Sequence, residues 1–383
     1  LQRICLMQQI KYKMLSLQRG IDKTIGTPLI NALSLLKRRR NAVPEEVLFT
    51  KLWAIGESVL TLPLIKQFKQ NYPNTKVTIL CRNQNKAVYE NQPFIDNIEL
   101  LELHNILTLT KQYKKYDLAF DLEPYLKLSA LLSNYLSQKT IGFSHGPRAK
   151  LYDQLVYYND KIHAVNTFLN LLKPLEIKPK VPDKLITLKY SKSDKRKVNN
   201  FFNKLPKHRP IIGMTVTSAG TATWRRWSPH KFAQLADKLI KKHNAIILMP
   251  DIQNQRNYIE RIINQMEQKE FVYNLAGKFS LKQLFKLTEK CNIYISNDTG
   301  PLHIAAAQGT ETIGLFGPNT PVRYAPYGKN NLSLYKSKET PVINPHLGSF
   351  KRPTQNWMEK ITVNEVFRNA EKLIYKQKRR TKR

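Results

Sequence analysis

The stretch Ile293-Tyr-Ile-Ser-Asn-Asp-Thr-Gly-Pro-Leu-His-Ile-Ala-Ala-Ala307 reads as a short β-branched strand, a tight turn and a helix. The strand stops at Asn297-Asp298 and the chain turns through Thr299-Gly300. Pro301 then opens the helix at a position where its missing N–H costs nothing. Amides at such a helix start, with the helix dipole behind them, form an anion site. Asp298, Thr299 and His303 crowd the same end. That corner suits a phosphate-bearing ligand. The plainer reading of His303 is a core or capping histidine.

The same alternation extends on both sides of this corner. Upstream, the pattern predicts strands over 47–54, 76–81, 97–103, 117–121 and 139–143, with a helix over 58–72. Leu60, Leu64, Ile65 and Phe68 form that helix's apolar side. Around the corner itself, strands are expected over 211–216, 245–249, 292–296 and 312–316, and a helix over 229–243 behind Ser228 and Pro229. Ser280-Leu-Lys-Gln283 and Thr362-Val-Asn-Glu365 are capping boxes, the second starting a terminal helix. Such βαβα order predicts α/β architecture, with parallel sheets covered on both faces. Prolines and lysines over 176–210 break the pattern. Four segments follow: a basic helical extension over 1–46, a doubly wound domain over 47–185, a second over 208–360, and a terminal helix with a basic tail over 361–383. Two facing sheets would line a cleft with the loops at their strand ends.

Composition narrows the class. The 383 residues are 42% hydrophobic, enough for two real cores. No apolar run reaches the length of a membrane span, and the first residues, beginning at Leu1, lack the apolar core of a signal peptide. Cys5, Cys81 and Cys291 are scattered, which fits a reducing compartment rather than a disulfide scaffold or zinc site. The net charge of +35 would draw the chain to nucleic acid, to an anionic membrane or to a phosphorylated ligand. General lysine enrichment is the plain alternative. The basic helix over 1–40 is expected either to dock on a membrane surface or to pack on the protein by its apolar face.

Several residues fall where chemistry is expected. Glu57, following Gly56 at the end of the first strand, is placed to act as general base toward an acceptor hydroxyl, or simply to stabilise a helix start. Asp121 and Glu123 end another strand and are candidates for contacting a polyol acceptor, or for capping the next helix. Thr217 and Ser218 end the first strand of the second domain. Beyond them Trp224-Arg225-Arg226-Trp227 offers two guanidinium groups suited to a pyrophosphate, with tryptophans able to exclude solvent or stack on a base. G-x-G-x-x-G, Walker A and H-E-x-x-H motifs are absent, and no acidic or histidine set has metal-ligand spacing.

In order, these blocks resemble glycosyltransferase family 9, the bacterial heptosyltransferases of lipopolysaccharide core assembly. The resemblance rests on Ile55-Gly-Glu-Ser-Val-Leu-Thr-Leu-Pro63, Arg225-Arg-Trp-Ser-Pro229, Asn274-Leu-Ala-Gly277, Asn297-Asp-Thr-Gly-Pro-Leu-His-Ile-Ala-Ala306, Gly314-Leu-Phe-Gly-Pro318 and Trp357-Met-Glu-Lys-Ile-Thr362. It covers about residues 47–375. It implies a GT-B fold, with two Rossmann-like domains facing across a cleft, the acceptor in the first and the nucleotide-sugar in the second. The implied reaction is metal-independent, inverting transfer from a nucleotide-diphosphate sugar, most typically ADP-heptose, to a cell-envelope glycolipid. No further cofactor is implied. The family's aspartate base corresponds to Glu57 and its phosphate-binding lysine to Arg225. Its Asp-Thr-Gly-x-x-His corresponds to Asp298, Thr299, Gly300 and His303, beside Thr217, Ser218 and Arg226. Met249-Pro-Asp251 stands where many members carry a Gly-Gly pair. The implied setting is the cytoplasmic face of the membrane, with anionic lipid as a partner and nucleic acid not expected. The alternative from another class is a non-catalytic GT-B relic that binds polyanions through its basic surface.

Overall fold

The computed structural model describes residues 44–102, 105–218, 223–339, 343–344, 349–350 and 353–381, with Pro28 and Ile30. Apart from those last two, the expected basic helix over 1–40 lies outside the described residues.

The first half runs β1 (Glu46–Thr50), α1 (Ile55–Asn71), β2 (Lys76–Cys81), α2 (Asn83–Tyr89), β3 (Asn97–Leu100), α3 (Ile106–Thr110), β4 (Tyr116–Asp121), α4 (Lys127–Leu136), β5 (Ser137–Phe143), β6 (Gln154–Val156) and α5 (Ala164–Leu169). The second runs α6 (Lys192–Phe202), β7 (Ile211–Thr215), α7 (Pro229–His243), β8 (Ile246–Met249), α8 (Arg256–Ile263), β9 (Val272–Asn274), α9 (Leu281–Lys290), β10 (Ile293–Asn297), α10 (Gly300–Ala307), β11 (Glu311–Phe316), α11 (Pro321–Tyr324) and β12 (Leu332–Tyr335). A small antiparallel pair, β13 (Ile343–Asn344) with β14 (Ser349–Phe350), precedes the terminal helix α12 (Val363–Thr381).

Both six-stranded sheets are parallel throughout. The first has the order β3-β2-β1-β4-β5-β6, and the second β12-β11-β10-β7-β8-β9. Numbered from its own first strand, the second sheet repeats the first sheet's order. Two doubly wound sheets with one topology therefore stand in a chain whose halves show no obvious sequence repeat. In each, the order reverses between the first and fourth strands, at β1/β4 and at β7/β10. Such a switch point opens a crevice beyond the strands' carboxyl ends.

The central strands are apolar on both faces because helices cover both faces. Val47 to Phe49, Ile293 to Ile295 and Ile313 are fully buried. Phe49 stacks on Phe120 at 4.7 Å, with Phe68 of α1 edge-on to both. Each buried ring of this kind contributes on the order of 2–3 kcal/mol. In the second half Trp227 is fully buried against Phe232, and its indole N–H donates to the Ile361 carbonyl at 3.0 Å. Val366, Ala370, Leu373 and Ile374 of α12 join the same core. Both expected capping boxes are present, at Ser280 and at Thr362, where Glu365 accepts from the Thr362 N–H at 3.0 Å.

Two elements depart from expectation. Helix α1 starts at Ile55 rather than Ser58, so Glu57 lies in its first turn. Helix α6 occupies the proline- and lysine-rich stretch. Ser191 and Asp194 close a capping box there, and Val198 is the helix's one fully buried anchor. The halves meet through α1 and α10. Leu302, Ile304, Ala306 and Ala307 of α10 pack into the apolar cluster built around β1, β2 and β4.

Candidate active site

The loop leaving β1 carries Lys51 and ends at Ala54, whose φ of 63° is a left-handed conformation that a Cβ disfavours. This turn aims α1 back across the sheet and sets Glu57 beside Lys51. The Lys51 Nζ lies 2.6 Å from Glu57 Oε2 and 3.1 Å from Glu123 Oε2, with its side chain fully buried. Glu123 Oε1 accepts from the N–H groups of Leu52 and Trp53, both at 2.7 Å, and so fixes the loop. The other Glu57 oxygen, Oε1, accepts from the Tyr324 hydroxyl of α11 at 2.8 Å. Burial opposes ionisation of Glu57. Lys51 by charge and hydrogen bond, the Tyr324 hydroxyl and Arg323 outweigh it, and hold the carboxyl below the usual range. Burial alone would lower the Lys51 pKa, but Glu123 and Glu57 hold it well above the ordinary lysine value.

Asp121 and Glu123 need correction. Neither exposes any surface. Asp121 accepts from Ser129 at 2.8 Å, from Tyr152 at 2.6 Å and from the Glu123 N–H at 3.0 Å. As β4 is the central neighbour of β1, the loop over 51–53 covers its end. These carboxylates are therefore enclosed beneath the loop and hold protein groups.

In the second half the candidate residues converge. Asn297, at the end of β10, accepts from the Trp227 N–H and donates to the Thr217 carbonyl, both at 3.1 Å. It thereby ties the arginine loop to the end of β7. Asp298 accepts from Asn319 at 2.7 Å, and its carboxylate stands 3.6 Å from Arg225 Nη1. The two arginines differ. Arg226 donates to the Ser218 hydroxyl and carbonyl, both at 3.1 Å, and stacks over Tyr258 at 4.9 Å. Arg225 is partly exposed, and its Nε has no partner among the described residues. Arg226 is thus committed to the loop, while Arg225 stands beside Asp298. The Thr217 hydroxyl is engaged by Asp251. Trp227 is a core residue, which excludes it as a stacking platform for a base.

Thr299 precedes α10 at the N-cap position, its hydroxyl donating to the Asn297 carbonyl at 3.2 Å, with Gly300 and Pro301 in the helix's first turn. His303 is buried, and burial pushes its imidazole down to about 4, with Asp298 and Glu57 opposing and His163 assisting. The ring is therefore neutral near pH 7, and its Nδ1 has no partner among the described residues. A Cβ at Gly56 would fall 2.7 Å from His303 Cδ2 and 3.3 Å from the Gly300 backbone. The N-termini of α1 and α10, one from each switch point, abut with no room for a side chain between them. The positive ends of two helix dipoles therefore meet here, with Glu57 in the first turn of α1 and Arg225 3.6 Å from Asp298. Among the described residues no group of three His, Cys, Asp or Glu side chains is placed to hold a metal ion.

Sequence reasoning did not single out Lys51, Tyr324, Arg323 or Asn319. Lys51 ends an apolar strand, a detectable signal, whereas Tyr324 meets Glu57 only through the tertiary fold.

Residues 107–344 match glycosyltransferase family 9 (heptosyltransferase). The lipopolysaccharide core heptosyltransferase OpsX of Haemophilus influenzae is 25% identical over 352 residues, spanning 86% of this chain and 97% of that protein. Lipopolysaccharide heptosyltransferase 3 of Escherichia coli K12 is 24% identical, spanning 83% of this chain and 95% of that one. Among solved structures, a family 9 glycosyl transferase from Veillonella parvula superposes with a TM-score of 0.73 at 22% identity, covering 87% of this chain and 97% of that one. The Escherichia coli ADP-heptose lps heptosyltransferase II superposes with a TM-score of 0.69 at 19% identity, covering 87% and 99%. These two likenesses bear on fold and agree with the two facing sheets of a GT-B architecture. With the match spanning most of the second half and much of the first, this chain belongs to glycosyltransferase family 9 (heptosyltransferase).

Proposed function

We propose that this glycosyltransferase moves heptose from ADP-heptose to the core of lipopolysaccharide, by inverting, metal-independent displacement. The observation that carries the reading is the abutment of α1 and α10 at Gly56 and His303, which sets Glu57 beside the crevice of the Asp298 corner. Heptosyltransferase relatives aligned over most of this chain supply the substrate classes. In the proposed reaction the donor pyrophosphate lies against the start of α10 and Arg225, with the neutral His303 N–H as a further donor. The acceptor hydroxyl attacks the anomeric carbon as the carbon–oxygen bond to ADP breaks on the opposite face. Negative charge grows on the leaving phosphate, where fixed amides and a guanidinium stabilise it without reorganising. As attack proceeds the hydroxyl becomes strongly acidic and its proton passes to Glu57. A carboxylate that is ionised at rest is ready for it. Lys51 then keeps Glu123 as its counter-ion, so no buried cation is left unpaired.

A lipid-borne acceptor would bring the protein to an anionic membrane surface, where a net charge of +35 favours contact. No helix among the described residues is long and apolar enough to cross a membrane. The test incubates the full chain with ADP-heptose and heptose-deficient lipopolysaccharide, in buffer with EDTA. Mass spectrometry should show one added heptose, and NMR should show an anomeric configuration opposite to the donor's. Retained configuration, or turnover abolished by EDTA and restored by a divalent cation, would overturn the mechanism. Absence of transfer, with a different nucleotide-sugar raising the melting temperature, would overturn the donor assignment.

A further inference from the structure

The segment between β11 and β12 touches both ends of the site. Asn319 donates to Asp298 at 2.7 Å, and five residues later Tyr324 donates to Glu57 at 2.8 Å. Between them, Thr320 caps α11 by accepting from the Val322 N–H at 3.2 Å. Arg323 Nη2 donates to the Tyr324 hydroxyl at 2.9 Å and crosses to the first half, where it donates to Tyr158 at 2.7 Å. Arg323 and Tyr324 are buried. His163, also in the first half, meets the Ala325 carbonyl at 2.9 Å. The Glu57 oxygens are thus held from opposite sides, Oε2 by Lys51 of its own half and Oε1 by Tyr324 of the other.

We propose that Tyr324, braced by Arg323 and Tyr158, is a positioning residue that sets the Glu57 carboxylate only when the two halves are docked. The assignment rests on Glu57 being the base. Separating the halves leaves Lys51 in place, since Glu123 and the loop over 51–53 anchor it, but removes the second donor and lets the carboxylate rotate about Oε2. Because Asn319 and Tyr324 share one short segment, the loop that holds Asp298 at the donor corner also carries the hydroxyl that orients the base. The two ends of the reaction are assembled together, which guards a bound donor against hydrolysis in the undocked form.

Tyr324→Phe keeps the buried ring and deletes only the hydroxyl. Losing one hydrogen bond to a charged group is expected to cut kcat about tenfold. The KM for ADP-heptose and the Kd for ADP should stay within about twofold, because no donor-corner contact is removed. The groups facing Glu57 are Lys51, Glu123, Tyr125, Tyr158, His303, Arg323 and Tyr324. Deleting one of the hydroxyls that favour its ionised form should move the acid limb of the kcat profile up by about half a pH unit. Tyr158→Phe should shift kcat and the acid limb in the same direction by less, and serves alone if Tyr324→Phe does not fold. Parental kcat and acid limb in the folded variant overturn the assignment while leaving Glu57 as base, provided Glu57→Gln is inactive. Full activity in Glu57→Gln would instead overturn the reading of the base itself.

Discussion

Lys51 and Glu57 form an ion pair at 2.6 Å in which the lysine side chain has no exposure to solvent. The lysine also serves Glu123 at 3.1 Å, so one cation is shared by two buried carboxylates. Lys51→Met removes the cation that both carboxylates pair with directly. It is expected to destabilise the fold by about 3–5 kcal/mol, the usual cost of breaking a buried pair from one side. Urea unfolding followed by circular dichroism measures this. A loss under about 1 kcal/mol would mean the carboxylates find other partners.

Gly56 is the point of closest approach between α1 and α10. Gly56→Ala drives a methyl to 2.7 Å from His303 and 3.3 Å from the Gly300 backbone, and backbone does not yield cheaply. The helix starts must move apart, at about 1–3 kcal/mol for an overpacked contact. Because the moving parts are the site itself, kcat/KM is expected to fall at least about tenfold, while the melting temperature drops by only a few degrees. Steady-state transfer kinetics and a thermal melt check both.

The two neighbouring arginines are expected to separate by measurement. Arg225→Ala removes the guanidinium that faces the crevice and should weaken ADP binding by about 1.5–3 kcal/mol, read by calorimetry. Arg226→Ala breaks its bonds to Ser218 and its stacking on Tyr258, and should lower thermal stability more than it weakens ADP binding. The reverse pattern would exchange their roles.

His303 gives a pH signature. Its pKa is about 4 in the folded protein against an ordinary 6.5, so below 6.5 the unfolded chain binds a proton that the folded chain refuses. Its contribution to stability is therefore full above pH 6.5 and is lost as pH falls toward 4, by up to about 3 kcal/mol. His303→Gln should flatten the stability profile in that window, as measured by urea midpoints across pH. An unchanged slope would show that the histidine titrates normally.

Much of this arrangement was legible in the chain and some was not, for identifiable reasons. Helix α7 and strand β2 match expectation end to end, because Ser228-Pro229 and Lys76 mark sharp boundaries. The Asp298 corner was readable because proline, glycine and a β-branched run each fix local geometry. Glu57 was placed just before its helix rather than inside it, since Gly56 is a poor helix former and its low propensity hid a start at Ile55. Helix α6 was hidden because its apolar residues, Val198, Phe201 and Phe202, are confined to its last two turns among lysines and asparagines, leaving no long periodic stripe to read. Asp121 and Glu123 looked available from their strand-end positions. Their burial depends on the covering loop, which a local pattern does not report. The Tyr324–Glu57 contact joins positions 267 residues apart and is a product of docking alone.

In the proposed reaction Glu57 accepts the acceptor's proton while the Asp298 corner and Arg225 hold the donor. Its most direct test is Glu57→Gln, assayed in parallel for heptose transfer to heptose-deficient lipopolysaccharide and for ADP binding by calorimetry. The kcat is expected to fall by about a hundredfold or more, the usual span for losing a general base, with the ADP Kd changed less than about twofold. Full transfer activity in a folded Glu57→Gln variant would contradict it.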